Sequence, residues 1–119
     1  MKKLLLSITL VALAGCANPE LTKKVTDEFT SKKDVKSLSV CIAEKSDMRT
    51  FNGMRIETTE KPAREGGVSL VLINGGDYID ILPDTSGSKV IYRGEGSRPM
   101  FGMLTYRNDE VVADIESCL

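Results

Sequence analysis

The stretch that decides the fold is VSLVLINGGDYIDIL, which occupies residues 68–82. Its first six residues are apolar apart from Ser69 and rich in β-branched side chains, which favours a buried strand. Asn74-Gly75-Gly76 is a strong turn signal, because these residue types adopt the backbone angles that a tight hairpin requires. Residues 77–82 form the returning run. The stretch therefore predicts an antiparallel β-hairpin.

Two further strand-like runs flank this hairpin. Residues 54–60 precede it and end before Pro62, and residues 89–93 follow it and end at Gly94. Both runs are short, contain β-branched side chains and are separated from the hairpin by turn residues. Together with the hairpin they predict a four-stranded antiparallel meander.

Helical patterns lie on both sides of the predicted sheet. The first covers residues 32–48, with Thr30 or Ser31 as its N-cap, and the second covers residues 108–118. Each places apolar side chains at intervals of three and four, which is the spacing of one buried helix face. The economical arrangement of such elements is α+β, with two helices on one face of the sheet.

The N-terminus follows a different pattern. Lys2 and Lys3 precede an uncharged run, LLLSITLVAL, at residues 4–13. This run is about half of the roughly 20 residues that a helix needs to cross the hydrocarbon core of a membrane. A short positive segment followed by such a run is typical of a secretory signal peptide.

The next residues, Leu13-Ala14-Gly15-Cys16, closely resemble the lipobox of bacterial lipoproteins. In that family a diacylglycerol is transferred to the cysteine thiol, and the lipoprotein signal peptidase cuts immediately before the cysteine. The resemblance implies that residues 1–15 are the signal peptide and that Cys16 carries the lipid. It also implies that Leu13, Ala14 and Gly15 are recognised by the peptidase. The alternative is an ordinary secretory signal with an incidental cysteine.

The residues after Cys16 indicate a tether and a destination. Apolar side chains at positions 21, 25 and 29 predict either a short amphipathic helix or a sticky part of the tether, so we assign residues 16–30 to the tether and 31–119 to one domain. Ala17-Asn18 resembles the sorting pattern of outer-membrane lipoproteins, whereas Asp at the first position favours the inner membrane. We expect attachment through covalent lipid to the outer membrane, facing the periplasm.

Two cysteines remain after Cys16 is assigned to lipid. Cys41 and Cys118 both lie on apolar helix stripes, and an oxidising compartment favours a disulfide between them. Closing so long a loop contributes about 4 kcal/mol in the chain-entropy model. The alternatives are two buried free thiols or a metal pair. A metal pair is disfavoured because the chain has 0 histidines and no CxxC motif, so we expect no metal and no cofactor.

The order of elements also resembles a loose set of small proteobacterial exported proteins. These share a helix with a Cys-Ile-Ala motif, here Cys41-Ile42-Ala43, and a last helix that ends in cysteine plus one residue, here Cys118-Leu119. The resemblance covers residues 35–119 and implies the fold and the disulfide, but no activity.

Charge and composition exclude several classes of function. Cleavage before Cys16 lowers the number of basic residues from 16 to 14 against 17 acidic ones, so the mature net charge is −3. An acidic chain without a basic block lacks the clustered positive charge that is typical of nucleic-acid binding. Without histidine, the usual acid–base and nucleophilic machinery is missing as well. We therefore expect no catalytic residue and no enzymatic activity.

Three groups of residues were candidates for other sites, and each has a simpler explanation. Asp77, Asp80 and Asp84 suggest a calcium site or a carboxylate pair, but they do not match the EF-hand spacing, and Asp beside Gly is ordinary turn chemistry. The second group suggests a ligand-facing patch or, more simply, solvated strand ends, and consists of Arg93, Arg98, Arg107, Tyr92 and Tyr106. The third suggests an adaptable surface or, more simply, core filling, and consists of Met48, Met54, Met100 and Met103.

The preferred interpretation is a non-enzymatic envelope lipoprotein that acts as a binding or structural module, with an envelope protein as a possible partner. An alternative is an inhibitor of a cell-wall-degrading enzyme. Residues 86–92, SGSKVIY, resemble the Ser-Gly…Tyr element of C-type lysozyme inhibitors, although the Tyr stands at a different spacing and the C-terminus is helical. A third class, a hydrolase, would need Asp77 and Asp80 together in one deep pocket.

Overall fold

The computed structural model describes residues 19–51, 53–55, 57–72, 75–96 and 106–119. The lipobox residues Leu13, Ala14, Gly15 and Cys16 lie outside these ranges. The described residues form an α+β fold, as predicted. None of their helices combines the length and apolar character that a membrane span requires.

The strands form one large antiparallel sheet and one small ribbon. In chain order they are β1 (Asp27–Ser31), β2 (Thr50–Phe51), β3 (Met54–Arg55), β4 (Thr59–Pro62), β5 (Val68–Leu72), β6 (Asp77–Asp84) and β7 (Gly87–Arg93). The large sheet has five strands in the order β1-β7-β6-β5-β4, and β2 pairs with β3 alone. Strands β4 to β7 are the predicted meander, built on the β5–β6 hairpin.

The prediction of four strands was wrong by one, because β1 adds a fifth. Phe29 lies opposite Val90 of β7, and the Thr26 N–H donates to the Tyr92 carbonyl at 2.7 Å. Without β1, the buried strand β7 would leave a row of unpaired N–H and C=O groups. This pairing outweighs the helical spacing of residues 21–29, so residues 27–30 belong to the sheet instead of the tether.

The strand predicted over residues 54–60 is also divided differently. Residues 54–55 form β3 in the small ribbon, whereas β4 begins at Thr59 and extends to Pro62. β4 is an edge strand, and proline is tolerated there because its missing N–H need not face a neighbouring strand.

The described residues include three α-helices, where two were predicted: α1 (Pro19–Thr22), α2 (Val35–Asp47) and α3 (Tyr106–Cys118). α1 is the added one and has four residues. The N-cap of α2 is Asp34, and neither Thr30 nor Ser31. The Asp34 carboxylate accepts from the Ser37 N–H at 2.7 Å, which satisfies one of the open amides of the first turn.

The core lies between the sheet and the helices α2 and α3. Alternate residues of the strands contribute Leu70, Leu72, Ile79, Ile81, Val90 and Tyr92, and the helices contribute Leu38, Ile42, Val111, Ile115 and Cys118. We call the sheet face that carries these residues the covered face. The opposite face, which carries Lys61, Ser69, Tyr78, Asp80 and Arg93 by strand register, is the outer face.

Candidate functional site

The disulfide joins the two main helices at the edge of the core. Cys41 of α2 and Cys118 of α3 are bonded, with their Cα atoms 5.9 Å apart. Cys118 is fully buried. The predicted pairing is confirmed, in place of two free thiols or a metal pair. Both cysteines of the domain are therefore occupied, and neither thiol is available as a nucleophile.

The three aspartates of the acidic cluster do not form one site, and of the three only Asp84 borders a turn, where its carboxylate accepts from the Thr85 N–H at 2.7 Å. All three lie within β6. Asp77 shares the covered face with Ile79 and is 0% exposed, whereas Asp80 lies on the outer face and Asp84 is exposed at the end of the strand. Because residues three apart in a strand point to opposite faces, Asp77 and Asp80 cannot share a pocket. The turn interpretation was wrong for both residues.

A buried polar cluster surrounds Asp77 where α3 begins. Its carboxylate forms an ion pair with Arg107, and both side chains are at most 3% exposed. Nearby, the Tyr92 hydroxyl donates to the Asn108 Oδ1 at 2.9 Å, and the Asn108 side-chain amide donates to the Glu95 carboxylate at 3.4 Å. These contacts connect the ends of β6 and β7 to the first turn of α3.

Burial determines the protonation of the tyrosine in this cluster. Removal from water raises the pKa of Tyr92 well above its usual value, and the negative charge of Asp77 raises it further. The phenol therefore stays neutral and donates its proton to Asn108. The residue two positions later is glycine, and a side chain at Gly94 would collide with the Tyr92 hydroxyl. The cluster holds α3 against the sheet and presents no accessible acid or base.

The predicted arginine–tyrosine patch is not assembled. Arg93 lies on the outer face and Arg107 lies in the buried polar cluster. The interpretation of Arg107 as a solvated residue was therefore wrong. Arg98 and the side chain of Tyr106 lie outside what the structure describes.

The predicted role of the methionines in the core fails for Met48, which is 84% exposed at the end of α2. It borders a shallow cavity of about 280 Å³ together with Arg49 and Asp114. Arg49 donates twice to the Asp114 carboxylate, at 2.6 and 2.8 Å, and so connects the end of α2 to α3. Met100, Met103 and the side chain of Met54 lie outside the described part.

Among the residues that the structure describes, a polar cavity lies on the outer face of the sheet. It has a volume of about 320 Å³ and is bounded by Arg64, Ser69, Asp80, Leu82 and Arg93, among others. The Ser69 hydroxyl donates to the Asp80 Oδ1 at 2.7 Å, and Arg93 pairs with the other oxygen of the same carboxylate. We call it the outer-face cavity. Sequence analysis missed it, since Ser69 and Arg64 carry no local pattern that marks them.

The segment that resembles a lysozyme inhibitor does not form one surface. Ser86 is exposed in the turn before β7, whereas Tyr92 is fully buried in the polar cluster. Between them, the Ser88 hydroxyl is buried and donates to the Lys33 carbonyl at 2.8 Å. The serine and the tyrosine therefore do not face a common partner.

Comparisons with known proteins add no assignment: no family model, no curated protein and no solved structure matches the chain.

Proposed function

We propose that this protein is a bacterial envelope lipoprotein, a small α+β domain held on a membrane by lipid on Cys16. The distribution of its three cysteines carries the proposal. Two of them, Cys41 and Cys118, form a disulfide, which is the state expected in an oxidising compartment outside the cytoplasm. The third stands at the end of a signal-like segment in the sequence Leu-Ala-Gly-Cys, where the lipoprotein family has its lipid-bearing cysteine.

The proposed anchor holds the domain firmly and close to the membrane. A single acyl chain gives only marginal binding, so the two or three chains of a lipoprotein are needed for stable attachment. The domain begins at Thr26, whose N–H is hydrogen-bonded to Tyr92. The connecting residues 17–26 include helix α1, so they reach less than the roughly 35 Å of a fully extended segment of this length. The domain therefore works at the bilayer surface, and the residues after Cys16 favour the periplasmic side of the outer membrane.

The domain itself is proposed to be a non-enzymatic binding or structural module. Histidine is absent from the sequence, and two of the three cysteines are joined to each other. The carboxylates Asp77 and Asp80, which a carboxylate-only hydrolase would need together, lie on opposite faces of β6. The outer face of the sheet, with its polar cavity, is the surface best suited to a partner.

The test is incorporation of labelled palmitate in cells that express the full chain. We expect label in the wild type and none in Cys16→Ser, which should also remain uncleaved. The double variant Cys41→Ala/Cys118→Ala is the matched control, because it removes two cysteines and should keep the label. Incorporation of palmitate into Cys16→Ser would overturn the proposal.

The alternative, an inhibitor of a cell-wall-degrading enzyme, rests on the resemblance of residues 86–92. Burial of Tyr92 weakens it, since such an inhibitor would then act through the exposed turn at Ser86. A lysozyme inhibition assay distinguishes the two: the lipoprotein module is expected to give no inhibition at micromolar protein, and inhibition that Ser86→Ala abolishes would favour the alternative.

A further inference from the structure

We propose that the outer-face cavity binds an anionic oxygen group, a carboxylate or a phosphate, between Arg64 and Arg93. This deepens the binding-module function proposed above and rests on it. The ligand class follows from the donors that line the cavity, because a planar guanidinium matches both groups with two parallel N–H···O bonds.

Arg93 is held in place by one ion pair, and other N–H groups of its guanidinium are unused among the described residues. Its Nη1 pairs with Asp80, and the Asp80 carboxylate is itself fixed by the Ser69 hydroxyl. A guanidinium has five N–H donors, and the described contacts of Arg93 use only this one nitrogen. Its side chain is 25% exposed and lines the cavity. Arg93 is thus oriented in advance for a ligand.

Arg64 also lines the cavity and lies on a closed turn. The turn is fixed by two backbone hydrogen bonds, from the Ala63 N–H to the Gly67 carbonyl at 3.0 Å and from the Gly67 N–H to the Arg64 carbonyl at 2.9 Å. Glu65 adopts φ 58°, which is rare for a residue with a side chain. Such conformations persist where the surrounding structure imposes them, and they are concentrated at functional sites.

Gly67 brings this turn close to the sheet. A side chain there would collide with the Ile81 carbonyl and with Leu82. The turn is therefore packed against β6 at the wall of the cavity. Within the described residues, the Arg64 side chain makes no ion pair or hydrogen bond, so its charge is not neutralised.

The local charge supports an anionic ligand. The cavity contains two arginines against one carboxylate, Asp80. Lys61 stands opposite Ser69 in the strand register and shares the outer face, which adds a third cation near the rim. The lining residues of the cavity carry one net positive charge, within a proposed mature chain whose net charge is −3. Pro62 and Leu82 add apolar lining beside these charges.

Asp80 gives the site a diagnostic property. It is now the counter-ion of Arg93, and it competes with an incoming anion for the same guanidinium. Replacing it with Asn keeps an oxygen acceptor at this position but removes the negative charge that opposes an incoming anion. Binding of an anion should therefore become stronger in Asp80→Asn, which a purely structural ion pair would not predict.

The test is an NMR titration of the protein expressed from the full chain and purified in detergent, in whichever processed form it takes, observing the arginine Nε–H signals. Inorganic phosphate is the probe in one arm, and N-acetylglycine, a peptide-like carboxylate, is the probe in the other. We expect saturable shifts of the Arg64 and Arg93 signals in at least one arm, and the arm that binds more tightly identifies the source of the anion. The absence of a saturable shift in both arms would overturn the proposal.

Variants separate a site from general charge attraction. Arg64→Gln should weaken binding about tenfold, as expected for loss of one charge-assisted pair, and Asp80→Asn should strengthen it. Arg55→Gln is the matched control, because Arg55 is an exposed arginine on β3, outside the sheet, and it should leave binding unchanged. Equal weakening by Arg55→Gln and Arg64→Gln would overturn the site. Neither result depends on palmitate labelling, so failure here is distinguishable from failure of the lipoprotein proposal.

Discussion

The two faces of the central sheet differ in what their residues do, and β6 shows the contrast within one strand. Its residues Asp77, Ile79 and Ile81 lie on the covered face and are 0% exposed. Its residue Asp80, on the outer face, is only partly buried and joins Ser69 and Arg93 around a cavity. The covered face stabilises the fold, and even its charged residue is buried in an ion pair. The outer face leaves charged groups accessible, so recognition is expected there.

Removal of the disulfide, which lies on the covered side of the sheet, should cause the largest loss of stability. The variant Cys41→Ala/Cys118→Ala opens a loop of 77 residues and should lower the free energy of unfolding by about 4 kcal/mol. Urea unfolding of the variant and the wild type measures the difference. A loss below about 1 kcal/mol would contradict the role of the bond as the main constraint between α2 and α3.

The buried ion pair should have the next largest effect. Arg107→Met leaves the Asp77 carboxylate buried without its cation, which typically costs about 3 kcal/mol or more. The control is the double variant Asp77→Asn/Arg107→Met, in which the isolated charge is gone and part of the stability should return. Thermal unfolding of both variants tests the pair. If the single and double variants were equally unstable, loss of packing and not an uncompensated charge would be the cause.

A smaller effect is expected at the N-cap of α2, where Asp34 is exposed. The hydrogen bond from the Ser37 N–H lowers the pKa of Asp34 below its ordinary value of 3.8. Because the folded-state pKa is lowered, the ionised cap stabilises the fold fully at pH values above the ordinary pKa of 3.8. This contribution is lost as the pH falls through the lower folded-state pKa. The stability difference between wild type and Asp34→Ala should therefore be constant near neutral pH and shrink below about pH 3.8.

Asp34→Asn is the matched control for the cap. Asparagine retains the capping oxygen but does not ionise in this range, so most of the stability at neutral pH should remain and its dependence on acid should be reduced. Urea unfolding at a series of pH values measures both variants. An acid dependence in Asp34→Asn equal to that of the wild type would assign the effect to another carboxylate.

The smallest effect on stability is expected on the outer face. Arg64→Gln removes an exposed side chain without an ion pair among the described residues, so its free energy of unfolding should stay within about 0.5 kcal/mol of the wild type. The same substitution is expected to weaken anion binding about tenfold. Unfolding and titration of one protein sample measure both quantities. A large loss of stability would place Arg64 among the structural residues and remove the contrast between the faces.

Much of the fold was predictable because its signals are local. The hairpin at residues 68–82 and the helices around Cys41 and Cys118 each show their own periodicity. β1 has no such local signal, since the spacing of Leu21, Val25 and Phe29 is helical. Residues 27–31 form a strand because they pair with the edge of β7. In this region the pairing with β7 outweighs the helical spacing of the sequence.

The site residues were harder to predict for the same reason. Asp77 follows two glycines and resembles a solvated turn residue, and its burial depends on Arg107, 30 positions later in the chain. Arg64 and Arg93 are separated by 29 positions, and only the order of the strands brings them to one cavity. The spacing of residues within a single helix or strand indicates neither the Asp77–Arg107 ion pair nor the shared cavity of Arg64 and Arg93.

The most direct test of the central claim is the intact mass of the protein purified from bacterial membranes. The account predicts a chain that begins at Cys16, carries a diacylglycerol and a further acyl group, and lacks the two hydrogens of the Cys41 and Cys118 thiols. A chain that retains residues 1–15, or a Cys16 thiol that is free to react with an alkylating reagent, would contradict it.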